Sequence, residues 1–401
     1  MQLAMERTSE GFSTMTSARP VAAPLAALQG GRVLREDGQL DEGPLFIEDG
    51  RVSEAPQSGR WLDASDCLVL PGIVDFHGDA FERQIMPRPG VRFPLDLALM
   101  DTDRQLAANG ITTALHGVTY SWEGGLRGRE TAEGLFDALE RLAPRLQVEH
   151  KVHLRFECHN VAGEADAQRW LQAGKVSLLA FNEHLPGMRR KPHKLQEYAD
   201  RAGTDVPGFM ALIEATLERT DEVSLVVERL ALQARRRGIP MASHDDPSTE
   251  VRDHYRTMGC RVSEFPLTHE VARYAHANAS PVVCGAPNVL RGGSHVGAPA
   301  AEELARAGQC SILASDYYYP APLHAALKLA DSGALSLNAA WKLVSQNPAE
   351  ALGMHDRGRL AAGLRADALV LDARDQRAPR LVATLVAGRL AYLADGDRLH
   401  A

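Results

Sequence analysis

From about Leu68 onward, short apolar or β-branched runs alternate with longer stretches whose apolar residues recur every three to four positions. The short runs predict strands and the periodic stretches predict amphipathic helices. Eight strands are expected: Leu68–His77, Thr112–Val118, Val152–Cys158, Val176–Asn182, Pro240–Asp245, Arg261–Phe265, Pro281–Ala286 and Cys310–Asp316. Helices are expected over Asp96–Asn109, Thr131–Leu142, Asp221–Arg237 and Pro299–Ala307. Asn109-Gly110 supplies a C-terminal stop to the first, and Pro299 suits the first turn of the last. Eight strands alternating with helices predict an α/β fold, a (β/α)8 TIM-type barrel. Its site would lie at the C-terminal ends of the strands.

The flanks are patterned differently. Gly31–Ser53 is short-period and turn-rich, with Phe46–Val52 readable as a hairpin arm. The same texture returns in Ala366–Asp372 and Leu385–Ala391. Two β-rich ends can pair into one small β-sandwich beside the barrel. The expected division is an N-terminal extension over 1–24, a sandwich from 25–67 and 358–401, and a barrel over 68–357.

Composition narrows the partners. A chain of 401 residues with a formal net charge of −8 does not suit general nucleic-acid binding. No apolar run approaches the ~18–20 residues that span a bilayer, so no membrane role is expected. The five cysteines (Cys67, Cys158, Cys260, Cys284 and Cys310) are scattered without a Cys-x-x-Cys pair. That pattern suits a reducing compartment and makes the cytoplasm the expected location. Met1–Pro24 lacks the continuous apolar segment of a secretory signal. Assembly into homo-oligomers is left open.

Acid and imidazole groups gather where the strands end. His77 and Asp79 close the first strand, Glu157 the third, His244 the fifth and Asp316 the eighth, while His184 follows the fourth. An isolated His-x-Asp is more often a surface pair. Six such groups on one barrel face form a donor set for one or two divalent ions, Zn or Mn, with Glu157 able to bridge a pair ~3.5–4 Å apart. A bound ion would make water nucleophilic near neutrality, and Asp316 would both ligate and take the proton. His116, His150, His153, His159, His254 and His269 read as packing or surface residues, with His159 closest to the set.

These features together resemble the amidohydrolase superfamily. More narrowly, the chain resembles the PhnM-like α-D-ribose 1-methylphosphonate 5-triphosphate diphosphatases of the carbon–phosphorus lyase route of phosphonate use. The resemblance rests on Leu70-Pro-Gly with His77-x-Asp79, Pro87–Gly90, Asn109–Thr113, Ala242–Asp246, Gly285–His295, Ser315-Asp-Tyr-Tyr and Asn347-Pro-Ala. It departs at Gly78 and Ala80, where Thr and Asn are expected, and at Asn182-Glu183. What it implies is hydrolysis of a phosphorylated small molecule at its 5-triphosphate, releasing pyrophosphate. Such a reaction needs cations around the departing group, and Arg88, Arg291, His295, Arg83 and Arg189 stand near strand ends. A deaminase or cyclic amidase acting on a C–N bond would share the fold and metals, so the site must decide. A barrel serving only as an interaction scaffold would lack the metal donors.

Overall fold

The computed structural model describes residues 24–188, 191–294, 297–375 and 378–401. Eight parallel strands form one sheet in chain order. They are β1 (Ile73–Gly78), β2 (Ile111–Tyr120), β3 (Glu149–Glu157), β4 (Leu178–Asn182), β5 (Met241–His244), β6 (Val262–Glu264), β7 (Val282–Gly285) and β8 (Ile312–Ala314). The architecture is the expected TIM-like barrel. Its strands read as continuous apolar runs because both faces are covered, and all ten residues of β2 are buried. Phe76, Leu115, Leu178, Val262, Val283 and Ile312 fill the barrel. Helix residues such as Leu106, Phe136, Trp170 and Leu230 cover the outside.

The barrel closes at a seam between β8 and β1. Asp316 donates its backbone N–H to the His77 carbonyl at 2.9 Å, and Asp79 donates to the Asp316 carbonyl at 2.9 Å. Beside them, Asp75 accepts from the Ser315 backbone N–H at 2.9 Å and from its hydroxyl at 2.5 Å. Gly78 permits this approach, since a Cβ there would meet Asp75 Oδ2 at 2.7 Å and Ser315 Oγ at 2.9 Å.

The run Leu68–His77, expected as one strand, is two. Leu68–Pro71 pairs with Ala368–Asp372 in a six-stranded sheet, and β1 begins only at Ile73. Gly72 makes the handover, with its N–H on the Asp367 carbonyl at 2.8 Å. A side chain there would strike Thr112 at 2.4 Å. A Pro-Gly step inside an apolar run therefore marks a change of sheet. The six-stranded sheet also takes Arg32–Leu34 and Leu40–Asp41 from one end of the chain, and Arg380–Val386 and Arg389–Leu393 from the other. A five-stranded sheet joins Ala27–Gln29, Leu45–Glu48, Arg51–Ser53 and Trp61–Asp63 to Leu399–His400. Leu28, Leu45, Ile47, Leu62, Val370 and Leu385 form a common core.

The expected hairpin turns at Asp49-Gly50, whose φ values of 49° and 77° fit a two-residue turn between Glu48 and Arg51. Leu385–Ala391, expected as turn-rich β texture, holds a second such turn at Ala387-Gly388 (φ 48° and 72°), the corner of a hairpin. The four expected helices are present as Leu95–Ala107, Arg129–Leu142, Val223–Arg236 and Ala301–Arg306. Pro299 lies outside the last of these, and its carbonyl accepts from Asn288 Nδ2 at 3.2 Å. Between β4 and β5 the helices Leu185–Met188, Leu195–Ala202 and Val206–Leu217 gather a small core of Leu185, Tyr198, Phe209 and Ile213. Among the described residues no helix is long and apolar enough to cross a membrane.

Candidate active site

The outward face of β3 carries Val152, Leu154 and Phe156, packed against helices. Strand alternation turns His153, Arg155 and Glu157 inward. One of these, His153, with His77 of β1 and Glu264 of β6, makes a buried polar floor. His77 Nδ1 lies 3.2 Å from Glu264 Oε1, and His153 Nε2 lies 3.6 Å from Glu264 Oε2. Burial holds the His77 imidazole well below its ordinary pKa, and it lowers His153 to about 3 despite the Glu264 charge. Both rings are therefore neutral at pH 7, the form that coordinates metal.

Above this floor, His184 Nδ1 contacts Glu157 Oε1, and the His184 backbone N–H donates to Glu157 Oε2 at 3.2 Å. Asp245 Oδ2 lies 3.3 Å from His244 Nδ1 and 3.8 Å from His184 Nε2. Burial would lower the His184 pKa, but the Glu157 and Asp245 carboxylates override it and raise it to about 9. At the seam, burial raises Asp79 against the pull of Arg155. Burial and the neighbouring Asp79 raise Asp316 to about 7. The backbone at this mouth is strained. Asp245, Phe265 and Asp316, each just past a strand end, take φ values of 58°, 51° and 54°.

Several of these groups line a cavity of about 270 Å³. His77, His184, His244, Asp316, Arg155 and Arg291 contribute its polar wall, and Phe265, Leu267, Pro287 and Leu304 its apolar wall.

The model of the amidohydrolase family matches residues 97–392. A curated α-D-ribose 1-methylphosphonate 5-triphosphate diphosphatase from Escherichia coli (strain K12) is 33% identical over 360 residues, 84% of this chain and 93% of its own length. The chain belongs to the amidohydrolase family. An imidazolonepropionase from Deinococcus deserti is 25% identical over 90% of this chain and 93% of its own. A solved 5-methylcytosine deaminase from Klebsiella pneumoniae, liganded with 5-fluorocytosine, shares the fold. Its TM-score is 0.59 over 92% of this chain and 98% of its own, at 17% identity.

The family fold implies divalent metal, and the residues present fit one. Three groups each bring donor atoms within 4.8 Å of one another: His77, His153 and Glu264; His184, His244 and Asp245; and His77, Asp79 and Asp316. Both ring nitrogens of His153 and Glu264 Oε2 are buried without a hydrogen-bond partner among the described residues. Buried polar atoms rarely go unmatched, and imidazole and carboxylate lone pairs match a divalent ion.

The six strand-end donors read from the sequence all lie at this end of the barrel, with His184 after β4 and His244 on β5 as counted. Glu157 and His184 contact each other directly. Of the expected phosphate ligands, Arg291 lines the cavity. Arg83 is exposed at the rim, its guanidinium 5.8 Å from the centre of the Tyr317 ring and donating to the Tyr317 carbonyl. Arg88 sits in an exposed turn bridged to Val91 and does not line the cavity. Arg189 and His295 lie outside the described residues.

Sequence reasoning missed Glu264, Arg155 and Asp245. It also set His153 aside as packing or surface, whereas the ring is fully buried in the floor of the site. The available signal was position: Glu264 ends a strand as Glu157 does, and His153 and Arg155 share the inward face of β3 with Glu157. His116 and His150 do behave as packing groups, stacked 5.0 Å apart with His150 Nε2 3.0 Å from Asp103.

Proposed function

We propose that this chain is a metal-dependent hydrolase acting on the 5-triphosphate of a ribose 1-phosphonate, with α-D-ribose 1-methylphosphonate 5-triphosphate as the substrate. The observation that carries the reading is the make-up of one cavity: the imidazoles and carboxylates of His77, His184, His244, Asp245 and Asp316 line it together with the guanidinium groups of Arg155 and Arg291. Cationic walls over metal-grade donors suit a polyphosphate, whose transfer chemistry is mainly positioning and charge neutralisation. The Escherichia coli diphosphatase, similar over most of both chains, supports the same choice.

His77, Asp79, Glu157, His184, His244 and Asp316 would hold one or two ions, Zn or Mn, with Glu264 and His153 beside His77. A bound divalent ion supplies Lewis acidity that makes water nucleophilic and draws charge from the phosphoryl oxygens. Asp316 Oδ takes the proton from the attacking water. The water oxygen bonds to the α-phosphorus, the bond from that phosphorus to the bridging oxygen breaks, and pyrophosphate leaves with the bonding pair. Arg291 steadies the departing oxygens. The fixed backbone of Asp316, held to His77 and Asp79 across the seam, keeps its carboxylate over the cavity.

Phosphorus NMR of the metal-loaded enzyme with the triphosphate tests this. Pyrophosphate and a 5-phosphate should appear, and Asp316→Asn should slow their appearance about 10³-fold, the scale of losing a general base together with a ligand. Intact triphosphate with metal bound would transfer the reading to C–N hydrolysis in the same barrel.

A further inference from the structure

We infer that Arg155 is a catalytic residue that contacts the phosphoryl oxygens inside the cavity, and that metal binding releases it for that contact. The inference rests on the function proposed above and adds the residue that meets the reacting group. Of the cationic candidates legible in the sequence, Arg83 lies in the short helix Glu82–Ile85 and Arg291 ends the helix Ala286–Arg291. Arg155 is instead a β3 residue, 5% exposed, that still lines the cavity beside His77, His244 and Asp316.

Its present partners fit it poorly. Nη1 donates to Asp79 Oδ2 at 3.3 Å, and Nη2 meets His244 Nε2 at 3.4 Å, both long for contacts of a charged donor. Buried Nε has no hydrogen-bond partner among the described residues. A guanidinium offers five donors in one plane, a fork matched to two oxygens of a phosphate. One carboxylate oxygen and one imidazole nitrogen do not fill that fork.

Both partners are also donors of the metal set. The Nε2 lone pair of His244 can meet an N–H or a divalent ion, but not both. A guanidinium can only donate, so Nε2 presents its lone pair to Arg155 and the proton of the neutral ring lies on Nδ1, 3.3 Å from Asp245 Oδ2. Ions held by the Asp79 group and by the His244 group would therefore strip Arg155 of its two contacts. A buried guanidinium beside a divalent cation then needs an anion, and the cavity is where one can enter. Substrate phosphate completes the fork.

The test follows Mn²⁺ and pyrophosphate binding by calorimetry, together with turnover of the triphosphate, in wild type and Arg155→Gln. The expected result is Mn²⁺ affinity equal to or tighter than wild type, pyrophosphate affinity of the Mn²⁺-loaded protein at least tenfold weaker, and turnover about 10³-fold slower. Unchanged pyrophosphate affinity would overturn the inference, as would loss of Mn²⁺ binding in a folded variant, which would make Arg155 a support for the ligands. If Arg155→Gln does not fold, Arg155→Lys decides. It keeps the charge and loses the fork, so pyrophosphate affinity at the wild-type level contradicts the inference and a threefold or greater loss supports it. Wild type that binds pyrophosphate without hydrolysing the triphosphate would sink the proposed reaction and leave the binding arm to judge Arg155.

Discussion

The two ends of β3 contain similar chemistry in opposite states. At its start, Glu149 Oε2 receives Arg357 Nη1 at 2.7 Å and also Arg365, while Oε1 meets Lys151 Nζ at 2.8 Å. Arg357 has a further contact with Thr113 Oγ1 at 2.9 Å. Burial alone would raise the Glu149 pKa, but these cations hold it far below the usual carboxylate range. At the other end, His153, Glu264 and Arg155 are buried more deeply than Glu149, yet each has polar atoms without a partner among the described residues. The first cluster is complete within the chain and locks barrel to sandwich. The second needs something from outside it. In a barrel of this class the N-terminal face serves stability and the C-terminal face serves chemistry, and β3 carries both roles along nine residues.

Removing one partner at each end should separate the roles. Glu149→Gln leaves Arg357 and Arg365 facing each other with their shared anion gone. Stability should fall by about 3 kcal/mol in urea unfolding, while metal affinity and turnover per folded molecule stay at wild-type levels. A fall in turnover without a fall in stability would break the comparison.

The seam beside the mouth supplies the next effect. Asp75 is fully buried, and burial raises its pKa to about 6 despite the Ser315 hydrogen bonds. Because the folded value exceeds the unfolded one, near 3.8, the folded state binds the proton more tightly. The stability this provides is full below pH 4 and is lost as the pH rises through 6, by about 3 kcal/mol for a shift of this size. Urea unfolding of metal-free wild type and Asp75→Asn, compared from pH 4 to 7, should show the wild type losing about 3 kcal/mol more than the variant. Parallel curves would mean that the seam holds an ionised Asp75 at no cost.

The smallest effect belongs to Glu264→Gln. If the carboxylate orients or joins the His77 ligand, metal affinity should weaken 10–100-fold with little change in melting temperature. Equal metal affinity, read by calorimetry, would return Glu264 to the structural class of Glu149.

Much of this was legible beforehand. The eight barrel strands stood out because burial on both faces leaves each an apolar run bounded by turn residues. Five of the donors stood out because they end such runs, and His184 because it follows one. The single reading of Leu68–His77 failed because both halves are apolar: no period records that Leu68–Pro71 joins the sandwich while Ile73 enters the barrel. Arg155 and His153 were hidden for a related reason. A polar residue alternating with apolar ones in a strand reads as solvent-facing, and only closure of the barrel turns that face inward. Glu264 ends a strand of three residues followed by Phe-Pro, a context that reads as a turn.

The central claim is that water attacks the α-phosphorus of a triphosphate at the C-terminal mouth of β3. Turnover in oxygen-18 water, followed by mass spectrometry of both products, tests it most directly. One labelled oxygen should appear in the ribose 5-phosphate product and none in the released pyrophosphate. Label in pyrophosphate, or in orthophosphate split from the terminal position, would contradict it.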